Sequence, residues 1–156
     1  MIQLMRVDHR LLHGQTAFTW SKAVGADCIL IANDSVINDP IRKTAIQLSR
    51  PSGIKLVIKS VDDSIQSINS GVTDKYRLFI IVQNIADAKK IIDSCDRIRS
   101  LNIGGVTKRD GTTRLMHAVY CTDEEIQMIR DLLGRGIEVE LRQVSSDAKV
   151  PAQKVI

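Results

Sequence analysis

The strongest constraint in this chain is a recurring pattern: short, nearly unbroken apolar runs set apart by stretches long enough to hold a helix. Asp27 to Ala32 (DCILIA), Ile54 to Lys59 (IKLVIK) and Tyr76 to Val82 (YRLFIIV) show it best. A strand exposed on one face alternates polar and apolar residues, so a run that does not alternate is buried on both faces. Parallel strands in turn need long crossovers, usually helical. The intervals carry the matching signals. Asp39-Pro40 offers an N-cap followed by proline at the first helical position, predicting a helix over Pro40 to Leu48. Asp62 to Asn69 reads as a helix stopped by Gly71, and Ala86 to Ser94 as the next.

The same rhythm brackets the middle of the chain. Met1 to Val7 is a first strand and Thr16 to Val24 a first helix, with Ala17, Trp20 and Ala23 at helical spacing. Arg99 to Ile103 adds a strand. Thr122 to Glu125 is a capping box opening a helix through Leu133, and Gly136 precedes a last strand, Ile137 to Leu141. Only Lys108 to Thr113 breaks the pattern, since Asp110-Gly111 predicts a tight hairpin and hence an antiparallel excursion at a sheet edge. The polar tail from Ser145 carries no element signal. These readings predict an α/β fold, one domain over residues 1–156, with a mostly parallel sheet, helices on both faces and an antiparallel edge hairpin.

A chain of 156 residues can bury an ordinary core without disulfide or metal support. Cys28, Cys95 and Cys121 are odd in number and match no metal-binding spacing, so they read as reduced thiols of a cytosolic protein. The first residues lack the pattern of a signal peptide, and no apolar run is long enough to span a bilayer. A net charge of +4 suits phosphate, an acidic partner or a membrane surface. With aromatics at 3% and cations scattered among acids, nucleic acid is not an expected partner.

Chemistry concentrates in Arg6-Val7-Asp8-His9-Arg10-Leu11-Leu12-His13-Gly14-Gln15, where the first strand turns into the first helix. The first N–H groups of a helix lack partners and favour an anion. Gly14 lets the backbone come close to a ligand. Arg6 and Asp8 share parity on an extended chain and leave it on one side, near the carboxyl end where open α/β sheets bind ligands. His13 is the candidate nucleophile. An ordinary imidazole, with a pKa of about 6.5, is mostly uncharged near neutral pH and able to attack phosphorus. A positive surrounding field would then hold the phosphoryl group, with Arg10, three residues earlier, as the better cation and Arg6 as the second. Asp8 orients either Arg10 or the tautomer of His13. His9 is expected to point away, and His117 to lie partly buried in the edge strand. Asn33-Asp34, Gln83-Asn84, and Asn102 with Gly104-Gly105 each follow an apolar strand, which gathers them on the His13 rim as pocket lining. Turn chemistry explains the same residues equally well.

The string R-V-D-H-R-L-L-H-G-Q, followed by Trp20, resembles the signature loop R-[IV]-D-x-R-L-[IL]-H-G-Q of the IIB components of mannose/fructose/sorbose-type sugar phosphotransferase systems. Similarity extends to Asn33-Asp34, Asn102 to Gly105, Asp110-Gly111 and Gly136 to Val139. Thr16 departs from the family's usual valine, and Ser145-Ser146-Asp147 from a proline-containing turn. The resemblance implies a cytoplasmic phosphocarrier peripherally associated with its transporter. His13, through Nδ1, would accept phosphate from a phosphorylated IIA protein or domain and pass it to sugar at the membrane IIC and IID subunits. It further implies that Arg10 helps hold the phosphate, with Arg6, Gly14 and Gln15 around it, and that no cofactor or metal is needed. Which sugar is moved stays open, as does a competing reading in which the loop belongs to a non-catalytic phosphate- or nucleotide-binding regulatory module. That alternative lacks a P-loop or dinucleotide fingerprint.

Overall fold

The computed structural model describes residues 1–156. Five helices and nine strands follow in the order β1 (Ile2–Asp8), α1 (Gly14–Val24), β2 (Cys28–Ala32), α2 (Pro40–Leu48), β3 (Lys55–Lys59), α3 (Val61–Asn69), β4 (Leu78–Val82), α4 (Ile85–Ser94), β5 (Ser100–Gly105), β6 (Thr112–Met116), β7 (Val119–Thr122), α5 (Asp123–Gly134), β8 (Glu138–Leu141) and β9 (Val150–Pro151). The main sheet has seven strands in the order β3-β2-β4-β1-β5-β8-β9. All neighbours are parallel except β9, which runs antiparallel to β8. No helix is long and apolar enough to cross a membrane.

The unbroken apolar runs resolve into two cores, one on each face of the sheet. Leu4, Ile29, Ile31, Phe79 and Ile81 pack with Trp20 and Ala17 of α1 and Ile46 of α2. Met5, Cys28, Leu30, Leu78, Ile80 and Val82 turn the other way, toward the face covered by α3, α4 and α5. Alternate residues of one strand therefore feed different cores, as the period of two demands. The helix signals act locally as expected. Asp39, Ser60 and Asn84 each cap a helix by accepting a backbone N–H, and Thr122 with Glu125 closes the capping box.

Three expectations are corrected. The hairpin β6–β7 forms, but its turn is His117-Ala118, whereas Asp110-Gly111 makes the bend before β6. Ala118 takes the positive φ of 69° that the turn requires. His117 is accordingly exposed at a turn, not partly buried in a strand. The tail also has structure: Val150 and Pro151 pair with β8, an edge position where proline loses no ladder bond.

Topology marks where a ligand belongs. From β1 the chain crosses through α1 toward β2 on one side, and from β5 it crosses through α5 toward β8 on the other. Adjacent strands whose connections diverge leave a crevice beyond their carboxyl ends.

Candidate functional site

Asp8, the last residue of β1, builds the loop that follows. Its Oδ1 accepts the Arg10 N–H at 3.0 Å and its carbonyl oxygen accepts the Leu11 N–H at 2.8 Å. This Asx-type turn forces Leu11 to a φ of 58°, which costs a non-glycine residue about 1 kcal/mol. Burial of Leu11 and Leu12 in the α1-side core offsets that cost, at about 2 kcal/mol for a fully buried leucine. The chain then reaches His13 in extended conformation. His13 is the N-cap of α1, and its side chain makes no capping bond.

That freedom leaves the ring for Asp8. His13 Nε2 lies 3.2 Å from Asp8 Oδ2, and Arg6 Nη2 donates to the same oxygen at 3.2 Å. A carboxylate facing a guanidinium only accepts, so the imidazole proton sits on Nε2 and the lone pair on Nδ1. No hydrogen bond engages Nδ1. The ring is partly open, with 21% of its side chain exposed. Of the two tasks foreseen for Asp8, its side chain orients His13; from Arg10 it takes only the backbone N–H.

Arg6 occupies a different place from the one its charge suggests. It is 2% exposed, and both terminal nitrogens are spent inside the protein. Nη1 donates to Asn102 Oδ1 at 2.6 Å and the Arg142 carbonyl at 3.0 Å, while Nη2 reaches Asp8 and the Gln143 carbonyl at 2.8 Å. Its guanidinium also lies 4.8 Å from the Trp20 ring centroid, with Arg142 at 4.9 Å. Gly104 is needed here, because a Cβ would fall 2.1 Å from the guanidinium carbon. Burial pushes the Arg6 guanidinium down from its ordinary value and Asp8 opposes that, so the group stays charged. Arg6 fixes Asp8, and Asp8 fixes His13.

Around this relay lies a pocket of about 250 Å³, lined by His13, His9, Arg10, Gly104, Gln143 and their neighbours. The Arg10 side chain is exposed there and is bound to nothing. His9, expected to point away, faces the same pocket, with Nδ1 4.0 Å from Asp8 Oδ1. Gly14 and Gln15 are exposed at the start of α1, outside the lining. Asn102 sits beneath the pocket as a partner of Arg6.

The expected lining by Asn33, Asp34 and Asn84 is corrected. Asn33 Oδ1 accepts from Ser35 N, Ser35 Oγ and Val36 N; Asp34 Oδ1 accepts from Val61 N; Asn84 caps α4. Turn and cap chemistry consumes all three. Gln83, expected with Asn84 at this rim, does reach the site, and a segment the sequence did not single out completes it. Gln83 Nε2 donates to the His9 carbonyl at 3.2 Å, and the segment Arg142-Gln143-Val144 forms a wall. The rule that gathers polar residues at strand ends would have found the latter, since it follows β8. Ala118 reaches the pocket only through the hairpin, which no local signal announces.

Residues 2–156 match the family of the PTS system sorbose subfamily IIB component. The sorbose-specific EIIB component of Klebsiella pneumoniae is 34% identical over 149 residues, 96% of this chain and 91% of that one. The crystal structure of the IIBSor domain of the sorbose permease from Klebsiella pneumoniae superposes with a TM-score of 0.90 at 34% identity, covering 96% of this chain and 92% of that one. The mannose-specific EIIAB component of Escherichia coli (strain K12) is 32% identical over 156 residues, and this chain spans 48% of its length, about half of that relative. With the matched model running through almost the whole chain and the relay of Arg6, Asp8 and His13 at its switch point, this protein belongs to the PTS system sorbose subfamily of IIB components.

Proposed function

We propose that His13 is a transient phosphoryl carrier. The neutral ring attacks the phosphorus of a phosphohistidine on a IIA partner through Nδ1. A new N–P bond forms, the donor N–P bond breaks, and the electron pair returns to the donor imidazole. In the second half a sugar hydroxyl at a membrane IIC/IID complex attacks the same phosphorus, its proton is lost to base, and His13 regains its lone pair. The sugar belongs to the class named for the relatives, sorbose, mannose or fructose. Residues 1–156 act as one domain that stays in the cytoplasm and meets the transporter peripherally.

One observation carries this reading: the 3.2 Å contact of Asp8 with Nε2, which leaves Nδ1 as the nucleophile. Phosphoryl transfer needs positioning and charge stabilisation more than bond-making groups. The relay supplies the positioning. Arg10 and the unpaired N–H groups at the start of α1 supply the charge, at about 4 kcal/mol per unit pair at 4 Å for an effective dielectric near 20. The test mixes phosphoenolpyruvate, the general phosphocarrier proteins, IIA and this chain, and looks for an acid-labile label. Label on the wild type and none on His13→Ala is expected; undiminished label on the variant removes His13 from the role.

A further inference from the structure

At the β3 edge of the sheet, three strands from the central β1 that leads to His13, lies a groove of about 250 Å³. Its floor is apolar and comes from three adjacent strands: Leu78 of β4, Cys28 and Leu30 of β2, and Val57 of β3. Lys55, Val57 and Lys59 share one face of β3 by the period of two, so a lysine stands on either side of Val57. The opposite wall is the segment between α3 and β4, where Val72 is 58% exposed and Lys75 and Tyr76 follow.

The polar groups of this groove are one-sided. Lys55, Lys59 and Lys75 line it, and no carboxylate does. The acids nearby are engaged elsewhere: Asp27 with Arg77, Asp62 with Lys90 and Asp74 with Arg97. Lys55 Nζ donates to the Tyr76 hydroxyl at 2.9 Å, which leaves the phenol's own hydrogen for an acceptor. Lys55 and Lys75 each stand 5.2 Å from the Tyr76 ring centroid, so both cations converge on one end. The same ammonium groups hold the Tyr76 phenol below its usual value, a measure of the positive field there.

An apolar floor with donor-only walls fits one chemical class. We infer that this groove is a second ligand site, taking a small amphipathic anion whose carboxylate or phosphate lies between Lys55, Lys75 and Tyr76 and whose apolar body rests between Val57 and Val72, above the buried Leu30 and Leu78. An empty volume of about 150 Å³ accommodates benzene, so this groove has room for about ten non-hydrogen atoms. Its lining shares no residue with the pocket at His13. Three strand spacings separate β3 from β1, about 14 Å, so both sites can be filled at once.

The experiment titrates the intact chain, followed by amide NMR and calorimetry, with octanoate, hexyl phosphate, octanol and glycerol phosphate. Saturable shifts at Lys55 to Lys59 and Val72 to Leu78 are expected with octanoate or hexyl phosphate, while the His13 loop stays still. The stronger of these two probes tells whether carboxylate or phosphate is the head. Octanol, which lacks charge, and glycerol phosphate, which lacks an apolar body, should both bind at least about tenfold more weakly. The double variant Lys55→Gln, Lys75→Gln replaces exposed side chains, keeps the fold and His13 phosphorylation, and should weaken the anionic probes by about tenfold or more. The site is rejected if the shifts do not saturate, if they move to the His13 loop, if octanol binds as well as octanoate, or if the double variant binds unchanged.

Discussion

The two halves of the carboxyl rim are alike in sequence and different in structure. Behind β2 and β4 stand Asn33-Asp34 and Gln83-Asn84; behind β1 and β5 stand Asp8 to His13 and the end of the strand at Gly104-Gly105. In the first half Asn33, Asp34 and Asn84 accept from backbone N–H groups, closing turns and helix starts, and Asn33 also donates to Gln83 Oε1 at 3.0 Å. In the second the polar groups hold one another across strands, with Arg6, Asp8, Asn102 and His13 in one chain of contacts and Arg10 left free. Strand order does not tell the halves apart, since β2 and β4 diverge toward β3 and β5 as β1 and β5 diverge toward β2 and β8. A polar residue after a strand therefore becomes a candidate site residue only where its hydrogen bonds leave it facing open space, as they do Arg10 and His13.

Substitutions can break this contrast, and they rank by how directly they reach the phosphoryl group. His13→Ala is the extreme case, with acid-labile label lost entirely while thermal unfolding stays near that of the wild type, because the ring makes no capping bond. Asp8→Asn keeps the shape of the side chain but can present an amide N–H to Nε2, favouring the wrong tautomer. Rapid-quench measurement of label transfer from IIA should show a fall of about a hundredfold or more. The same variant faces a buried Arg6 without its counterion and should lower stability by about 3 kcal/mol in urea unfolding. Arg10→Ala should slow transfer by about tenfold, less than for a donor sealed from water, with no loss of stability. Last comes Asn33→Ala on the other half of the rim. It strands the buried Val36 N–H, with the part-buried Ser35 N–H beside it, and should cost about 1–3 kcal/mol of stability, yet leave the transfer rate unchanged. An Asn33 variant that slowed transfer at equal folded fraction would erase the distinction between the two halves.

Much of the fold was legible because its signals are local. Unbroken apolar runs named the strands, Asp39-Pro40 and Thr122 to Glu125 named helix starts, and the loop from Arg6 to Gln15 pointed to the candidate pocket, which Arg6, Asp8, His9, Arg10 and His13 line. Boundaries slipped where two local rules competed. α1 begins at Gly14, two residues before the apolar periodicity, because His13 takes the extended conformation of an N-cap. Asp110-Gly111 does bend the chain, but the hairpin closes one strand later, at His117-Ala118.

By itself, the order of residues determined the alternation of strands and helices, the position of a histidine at a helix start and the clustering of charge around it. Those properties depend on backbone propensity and on neighbours a few residues away. Tertiary structure alone decided that Arg6 would be a buried strut, that Arg10 would stay free, that Asp8 would grip Nε2 of His13, and that Gln143 and Ala118 would wall the pocket. The reason is physical: a guanidinium satisfied by Asn102 and the carbonyls of residues 142 and 143 depends on partners about a hundred positions away, which only strand order brings within hydrogen-bond reach.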